Sequence, residues 1–219
     1  MIGDQLRNRM VIYGHPKCID TAKCFQTAAE KGVDIEGKVI DPNGGASDPE
    51  FSSVSPLGIG PALRDIKHTV YGTLAVMSYL DDKGFGPSLV PRNGVHRATM
   101  YQWITVAMNK VQGKIAEDNV SGLGAFLDEL DKHLAEPTKK SDFISGEFSL
   151  ADIHWAACAN MLQIKGHGDM ISSKPAINAW LEKVKNHPST SKEKIIPFTT
   201  LPTADDVQSG QLRDISINV

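Results

Sequence analysis

The sequence predicts an α/β N-terminal half followed by an all-helical C-terminal half, and three observations carry that prediction. Short apolar runs of strand length alternate with helical spacing through residue 83. A glycine- and proline-rich stretch, GFGPSLVPRNG at residues 84–94, then interrupts all periodicity. Beyond it only helical spacing of apolar residues recurs, with no convincing strand.

The elements follow in order. Met10 to Tyr13 (MVIY) is a short apolar run ending at Gly14-His15-Pro16, a buried strand that runs into a turn. From Cys18 the pattern turns helical, with Cys18, Ala22, Phe25 and Ala29 on one face and Gly32 where a C-terminal glycine cap belongs. Lys38 to Ile40 offers a second strand and closes a βαβ unit. Pro42 to Ser55 is rich in Gly, Ser, Asp and Pro, and reads as loop with at most a short helix. Pro61 to Asp65 and His68 to Tyr71 read as two short strands joined by a tight turn. Thr73 to Lys83 is a helix, its turns marked by Leu74, Met77 and Leu80 or Asp81, closed by Gly84. Such a mixed order suits one sheet with helices on its faces.

In the second half, Met100, Trp103, Ile104, Ala107, Met108, Val111 and Ile115 keep helical spacing across several turns. Phe126, Leu127, Leu130 and Leu134 mark another helix. At Phe148-Ser149-Leu150-Ala151-Asp152-Ile153, Ser149 can cap, Asp152 can return the bond, and Phe148 can staple against Ile153. A further helix starts near Pro175, repeats at Ile177, Trp180, Leu181 and Val184, and stops before Pro188. The tail from Thr199 is polar and aperiodic.

Bulk properties narrow the function. The 219 residues can bury a sizeable core. A net charge of −3 gives no basic footprint for nucleic acid. No apolar run is long enough for a membrane span, and MIGDQLRNR lacks the apolar segment of a secretory signal. Three cysteines make no disulfide framework, so a reducing cytoplasmic setting is expected, although a removed transit peptide would leave no trace.

Three local pieces then carry a resemblance. Ser55-Pro56-Leu57-Gly58-Ile59-Gly60-Pro61-Ala62-Leu63 looks like an "NPxGxVPxL" stretch whose second proline is cis. Ala75-Val76-Met77-Ser78-Tyr79-Leu80 looks like "A-I-x-x-Y-L", and Ser149-Leu150-Ala151-Asp152 matches an "S/T-x-A-D" capping box. In this order and spacing they resemble the cytosolic glutathione transferase superfamily, with the cysteine-type (omega-like) or a divergent bacterial/algal-type class as the subdivision. The resemblance implies a thioredoxin-like glutathione-binding domain at 1–84, an all-helical substrate-binding domain at 94–198 and a polar tail at 199–219. It also implies glutathione as co-substrate, an electrophile or disulfide as second substrate, and a homodimer.

By the same resemblance Cys18 falls where many classes place the catalytic Ser or Cys. The physical reading agrees. A thiol at a helix N-terminus meets unpaired backbone N–H groups and the positive end of the macrodipole, which favour the nucleophilic thiolate. The competing reading is a small core residue, the usual fate of a buried free cysteine. Lys23 falls where cysteine-type members carry a basic residue, and Lys17 adds a neighbouring positive charge. Cys24 lies about 240° around the helix from Cys18, so the two cannot pair within it; Thr21 stands where the second cysteine of a C-x-x-C motif would be. A single-thiol mechanism through a mixed disulfide follows. Cys158 reads as core.

Tyr13, Lys17, Ile59, Gly60, Pro61, Gly72 and Thr73 complete the expected glutathione surface. Tyr13 lies near where other classes use a catalytic tyrosine, but Cys18 already supplies the sulfur, which favours a structural role. Departures from the family pattern weaken the site, and one is Gly60 before the proline, where Val is common, although its backbone can still pair with the cysteinyl part of glutathione. Gly72 replaces the acidic or amide residue that grips the γ-glutamyl end, leaving Thr73, and Ile59 replaces a polar residue. His15 and Cys18 have H-x-x-C spacing without the rest of a zinc quartet, so no metal is expected. The alternatives to a Cys18 transferase are a non-catalytic binding module of the same shape, or a glutathione-dependent lyase or isomerase of a specialised metabolite.

Overall fold

Two compact units, divided between Gly86 and Pro87, make up the computed structural model, which describes residues 10–15, 18–40, 48–66, 68–136 and 141–187. The first unit runs β1 (Met10–Gly14), α1 (Ile19–Glu30), β2 (Ile35–Val39), α2 (Pro49–Val54), β3 (Ala62–Asp65), β4 (His68–Tyr71) and α3 (Thr73–Lys83). Its four strands lie in the order β2-β1-β3-β4. β1 pairs parallel with β2 and antiparallel with β3, and β3 pairs antiparallel with β4.

Strand alternation sorts the side chains of β1 onto opposite faces. Tyr13 packs with Ile40, Phe51, Val54 and Ala62 on the face that α2 covers, which leaves the fully buried Ile12 on the other face. α1 and α3 pack against each other, and a buried ion pair fastens their C-terminal ends: Lys31 Nζ lies 3.0 Å from Asp81 Oδ1. Gly32, at φ +61, supplies the left-handed turn after α1.

Three local details differ from the sequence reading. β2 spans Ile35–Val39 instead of starting at Lys38, because parallel pairing runs from Met10 opposite Ile35 to Gly14 opposite Val39. Ile40 lies just past the strand, its N–H donating to the Gly14 carbonyl at 3.0 Å. α1 begins at Ile19, with Cys18 as the extended residue that precedes it. The most deeply buried apolar positions of α1 are accordingly Cys24, Phe25 and Ala28, while Ala22 is half-buried. The short helix allowed within 42–55 is α2; the Asp48 carboxylate accepts the Glu50 and Phe51 N–H groups, and Pro49 opens the first turn.

The second unit shows no strand among its described residues. α4 (Gly94–Val106) passes through a π-helical turn at Ala107–Val111 into α5 (Gln112–Ala116). α6 (Gly124–Ala135), α7 (Leu150–Ile164), the one-turn α8 (Asp169–Ser172) and α9 (Pro175–Lys185) follow. Their core contains Met100, Trp103, Ile104, Leu127, Leu130, Trp155, Ile177 and Trp180. The Trp155 indole N–H donates to the Trp103 carbonyl at 2.9 Å.

The capping box at α7 is formed as the sequence indicates: Ser149 N–H donates to Asp152 Oδ2 at 3.0 Å, and Ala151 N–H donates to Ser149 Oγ at 3.3 Å. Asp152 does more than cap. Its Oδ1 accepts from Ile144 N–H and from the Trp180 indole, each at 2.9 Å, which ties α7 to α9 and to the preceding loop. Phe148 stacks on His187, with ring centroids 4.2 Å apart. The expected stop before Pro188 is met by the end of α9 at Lys185. The tail from Thr199 lies outside the described residues.

Candidate functional site

Strand register gathers the sequence-predicted residues at one end of the sheet. Cys18 follows the C-terminal end of β1, Gly60 and Pro61 precede β3, and Gly72 and Thr73 follow β4. Tyr13 is opposite Ala62, and Ala62 is opposite Tyr71, so all three segments meet at the same edge. The Gly72 N–H donates to the Pro61 carbonyl at 2.9 Å. The N-termini of α1 and α3 lie at this end of the sheet, without side-chain capping bonds.

Cys18 is half-buried, whereas Cys24 and Cys158 are buried, so it is the one accessible thiol of the three. It occupies the N-cap position of α1, its side chain making no capping bond there. The Cys18 N–H donates to the His15 carbonyl at 2.9 Å, and the His15 N–H donates to Thr21 Oγ1 at 3.1 Å. Lys23 is fully buried, with Nζ 3.1 Å from Asp20 Oδ1, so Asp20 offsets much of the positive charge expected of it. Asp20 and Thr21 carry no motif of their own, and the sequence reading assigns neither a role. Lys17 and Pro16 lie outside the described residues.

The cis turn is anchored from beneath. Gly60–Pro61 is a cis peptide bond, as the motif predicts. Buried Ser55 accepts the Ile59 N–H at 2.9 Å and donates its hydroxyl to the Ile59 carbonyl at 2.8 Å. Its two bonds hold Ile59 in place while leaving 45% of that residue's surface exposed. At the start of α3, Gly72 adopts φ +89, a conformation that suits glycine. A Cβ there would have Ile59 Cγ2 as its nearest neighbour, at 4.0 Å. Thr73 is buried, and its carbonyl lies 3.9 Å from the Cys24 sulfur. Burial pushes the Cys24 thiol well above its ordinary pKa, with Asp20 adding to the rise, so Cys24 stays a neutral thiol.

Tyr13 takes no part in this edge. Its ring lies in the α2-side cluster, and its hydroxyl donates to Glu50 Oε1 at 2.8 Å. The Arg64 guanidinium sits 5.3 Å and Lys38 Nζ 5.8 Å from the ring centre, and both cations also pair with Glu50. Burial first, then the bond to Glu50, pushes the phenol up to about 12. Its packing and its bond to Glu50 give Tyr13 the surroundings of a structural residue. Among the described residues no group of three His, Cys, Asp or Glu side chains is placed to hold a metal ion.

A four-stranded mixed sheet with a cis-proline turn, followed by a helical unit with a capping box, defines the fold of the glutathione transferases. Residues 8–82 match the glutathione S-transferase N-terminal domain, and residues 100–192 match the glutathione S-transferase C-terminal domain. The chain belongs to the glutathione S-transferase superfamily. It is 26% identical to glutathione S-transferase F9 of Arabidopsis thaliana over 214 residues, which cover 86% of this chain and 97% of that one. Its fold is similar to that of glutathione transferase F7 from Populus trichocarpa, with TM-score 0.72 and 24% identity over 87% of this chain and 99% of that one. A delta-class glutathione transferase of Nilaparvata lugens is similar with TM-score 0.74 and 25% identity, over 95% and 100% of the two chains. The plant relatives bear F-class names, so the omega-like or bacterial/algal subdivision suggested by Cys18 gives way to a likeness with plant Phi-class enzymes.

Proposed function

We propose that this protein is a glutathione-dependent enzyme in which Cys18 carries the sulfur chemistry. One observation carries the reading: the single accessible cysteine stands at the first turn of α1, at the sheet edge shared by the cis turn and the start of α3. In the disulfide reaction the Cys18 thiolate attacks the glutathione sulfur of a mixed disulfide and expels the substrate thiolate, which takes up a proton. A second glutathione, as thiolate, then attacks the Cys18–glutathione bond, giving glutathione disulfide and restoring Cys18. Buried Cys24 cannot resolve the intermediate, which is why an external thiol is required. In conjugation, Cys18 and the α1 amides instead hold the glutathione thiolate while it attacks an electrophile.

Ile59, Gly60 and Pro61 offer a backbone edge for the cysteinyl part of glutathione, and Thr73 at the head of α3 offers a place for a carboxylate. Gly72 offers no side chain to the γ-glutamyl ammonium, so binding is weaker than in relatives with an acid there. That same gap favours the second reading, a binding module without turnover. A homodimer in the cytosol completes the proposal, in keeping with the family.

Titration with glutathione under oxidising and reducing conditions, read by intact mass, tests it. A single glutathione adduct that maps to Cys18, and disulfide-exchange activity lost in Cys18→Ser, is the expected result. Cys18→Ser should keep some conjugating activity, since a hydroxyl can still hydrogen-bond the glutathione sulfur. No binding at millimolar glutathione, or full exchange activity in Cys18→Ser, rejects the enzyme reading in favour of the module.

A further inference from the structure

Thr21 lies in the first turn of α1, three residues after Cys18, with 2% of its surface exposed. A hydroxyl buried this deeply needs a partner, and its oxygen accepts the His15 N–H at 3.1 Å. The carbonyl of the same His15 accepts the Cys18 N–H at 2.9 Å. These bonds run in series, from the helix floor to the turn and from the turn to the residue that bears the thiol.

Gly14 makes the arrangement possible. A Cβ at Gly14 would stand 2.4 Å from Thr21 Oγ1 and 2.7 Å from Thr21 Cγ2, far inside contact distance. A β-branched threonine on a helix has little rotamer freedom with which to step aside. Strand end, turn and helix start are thus interlocked through one small side chain and one missing one.

We propose that Thr21 is a positioning residue for Cys18, its buried hydroxyl fixing the β1–α1 turn so that the thiol stays at the first turn of α1. The proposal rests on Cys18 as the reactive thiol. Where a C-x-x-C protein would carry its second sulfur, this chain carries a hydrogen-bond acceptor that holds the first sulfur's loop.

The experiment follows iodoacetamide alkylation of Cys18 by peptide mass spectrometry across pH, in the full chain and in Thr21→Val, Thr21→Ser and Gly14→Ala. Thr21→Val keeps the volume but removes the acceptor, and Gly14→Ala displaces Thr21 without removing it. Both should slow Cys18 alkylation by about tenfold, the scale of one buried hydrogen bond, and move its pH–rate curve. Thr21→Ser retains the hydroxyl and should follow the parent. If Thr21→Val does not fold, Gly14→Ala and Thr21→Ser decide the matter between them. A folded Thr21→Val or Gly14→Ala with the parent's rate and pH profile overturns the proposal, as does a Thr21→Ser as slow as Thr21→Val. A parent protein whose Cys18 alkylates no faster than Cys158 is a separate result: it removes Cys18 as the nucleophile, and the positioning role with it.

Discussion

Tyr13 shows how burial decides what a residue can do. A phenol near a sulfur site invites a catalytic role, but this one is covered by α2 and donates to Glu50. Its folded pKa, pushed up to about 12, lies above the ordinary value of 10.0. Between those values the unfolded chain loses the phenolic proton while the native one keeps it. Stability from Tyr13 is therefore complete below pH 10.0 and drains away as pH rises toward 12. Alkaline titration followed by tyrosinate absorbance should show a late fraction that Tyr13→Phe removes, with glutathione chemistry unchanged by that substitution. Loss of chemistry in Tyr13→Phe would restore the catalytic reading. At this scale Gly60 and Pro61 are legible because they belong to a motif with a defined place on the fold, and Cys18 and Thr73 because each stands where helical spacing begins. Thr21, Asp20 and Ser55 are not, because their value lies in which backbone groups or charges they meet, and spacing alone does not disclose that.

Lys31 and Asp81 make the corresponding case for whole elements. They lie fifty residues apart, one at the end of α1 and the other in α3, with 3% and 2% of their side chains exposed. Lys31 also reaches the Gly86 carbonyl at 3.5 Å. Removing one partner strands a buried charge, so Asp81→Ala should cost about 3–5 kcal/mol in denaturant unfolding. The paired change Lys31→Met with Asp81→Leu should cost far less, because it removes both desolvation penalties together. Equal losses in the single and double variants would show that the pair contributes through packing rather than charge. Such long-range pairs are invisible to periodicity. So is the service of Asp131 on α6, whose Oδ1 accepts the Ala176 and Ile177 N–H groups at the head of α9. α2 could have been read more firmly from Asp48-Pro49, a cap followed by a first-turn proline, but the surrounding glycines and serines blur it. The π turn at Ala107–Val111 leaves the apolar face of its helix nearly intact, so one continuous helix is the natural reading there.

Across the molecule, the response to acid is set by carboxylates whose native partners favour the charged form. Lys38, then Tyr13, hold Glu50 below its usual range; the Tyr79 hydroxyl, then Lys83, do so for Asp65; and Lys174 does so for Asp128. For each, the native state binds fewer protons than the unfolded chain as pH falls through the unfolded value, 3.8 for the two aspartates. Their stabilisation is present above that value and is lost on acidification through the lower folded value. Asp152 has the opposite sign: burial raises its pKa against the donors around it, so protonation favours the native state and softens the loss. The groups also differ in their sensitivity to salt. Glu50 and Asp128 have 42% and 53% of their side chains exposed and pair with lysines, so added salt screens them. Asp65 is only 10% exposed and takes its main bond, at 2.7 Å, from a neutral hydroxyl, which salt leaves largely untouched. Urea midpoints followed from neutral pH into the acid range should therefore fall, and fall less steeply in high salt. A residual salt-resistant slope should diminish in Asp65→Asn. If Asp65→Asn keeps the parent's full acid slope in high salt, the Tyr79–Asp65 bond does not govern this limb, and the loss must be carried by the exposed pairs alone.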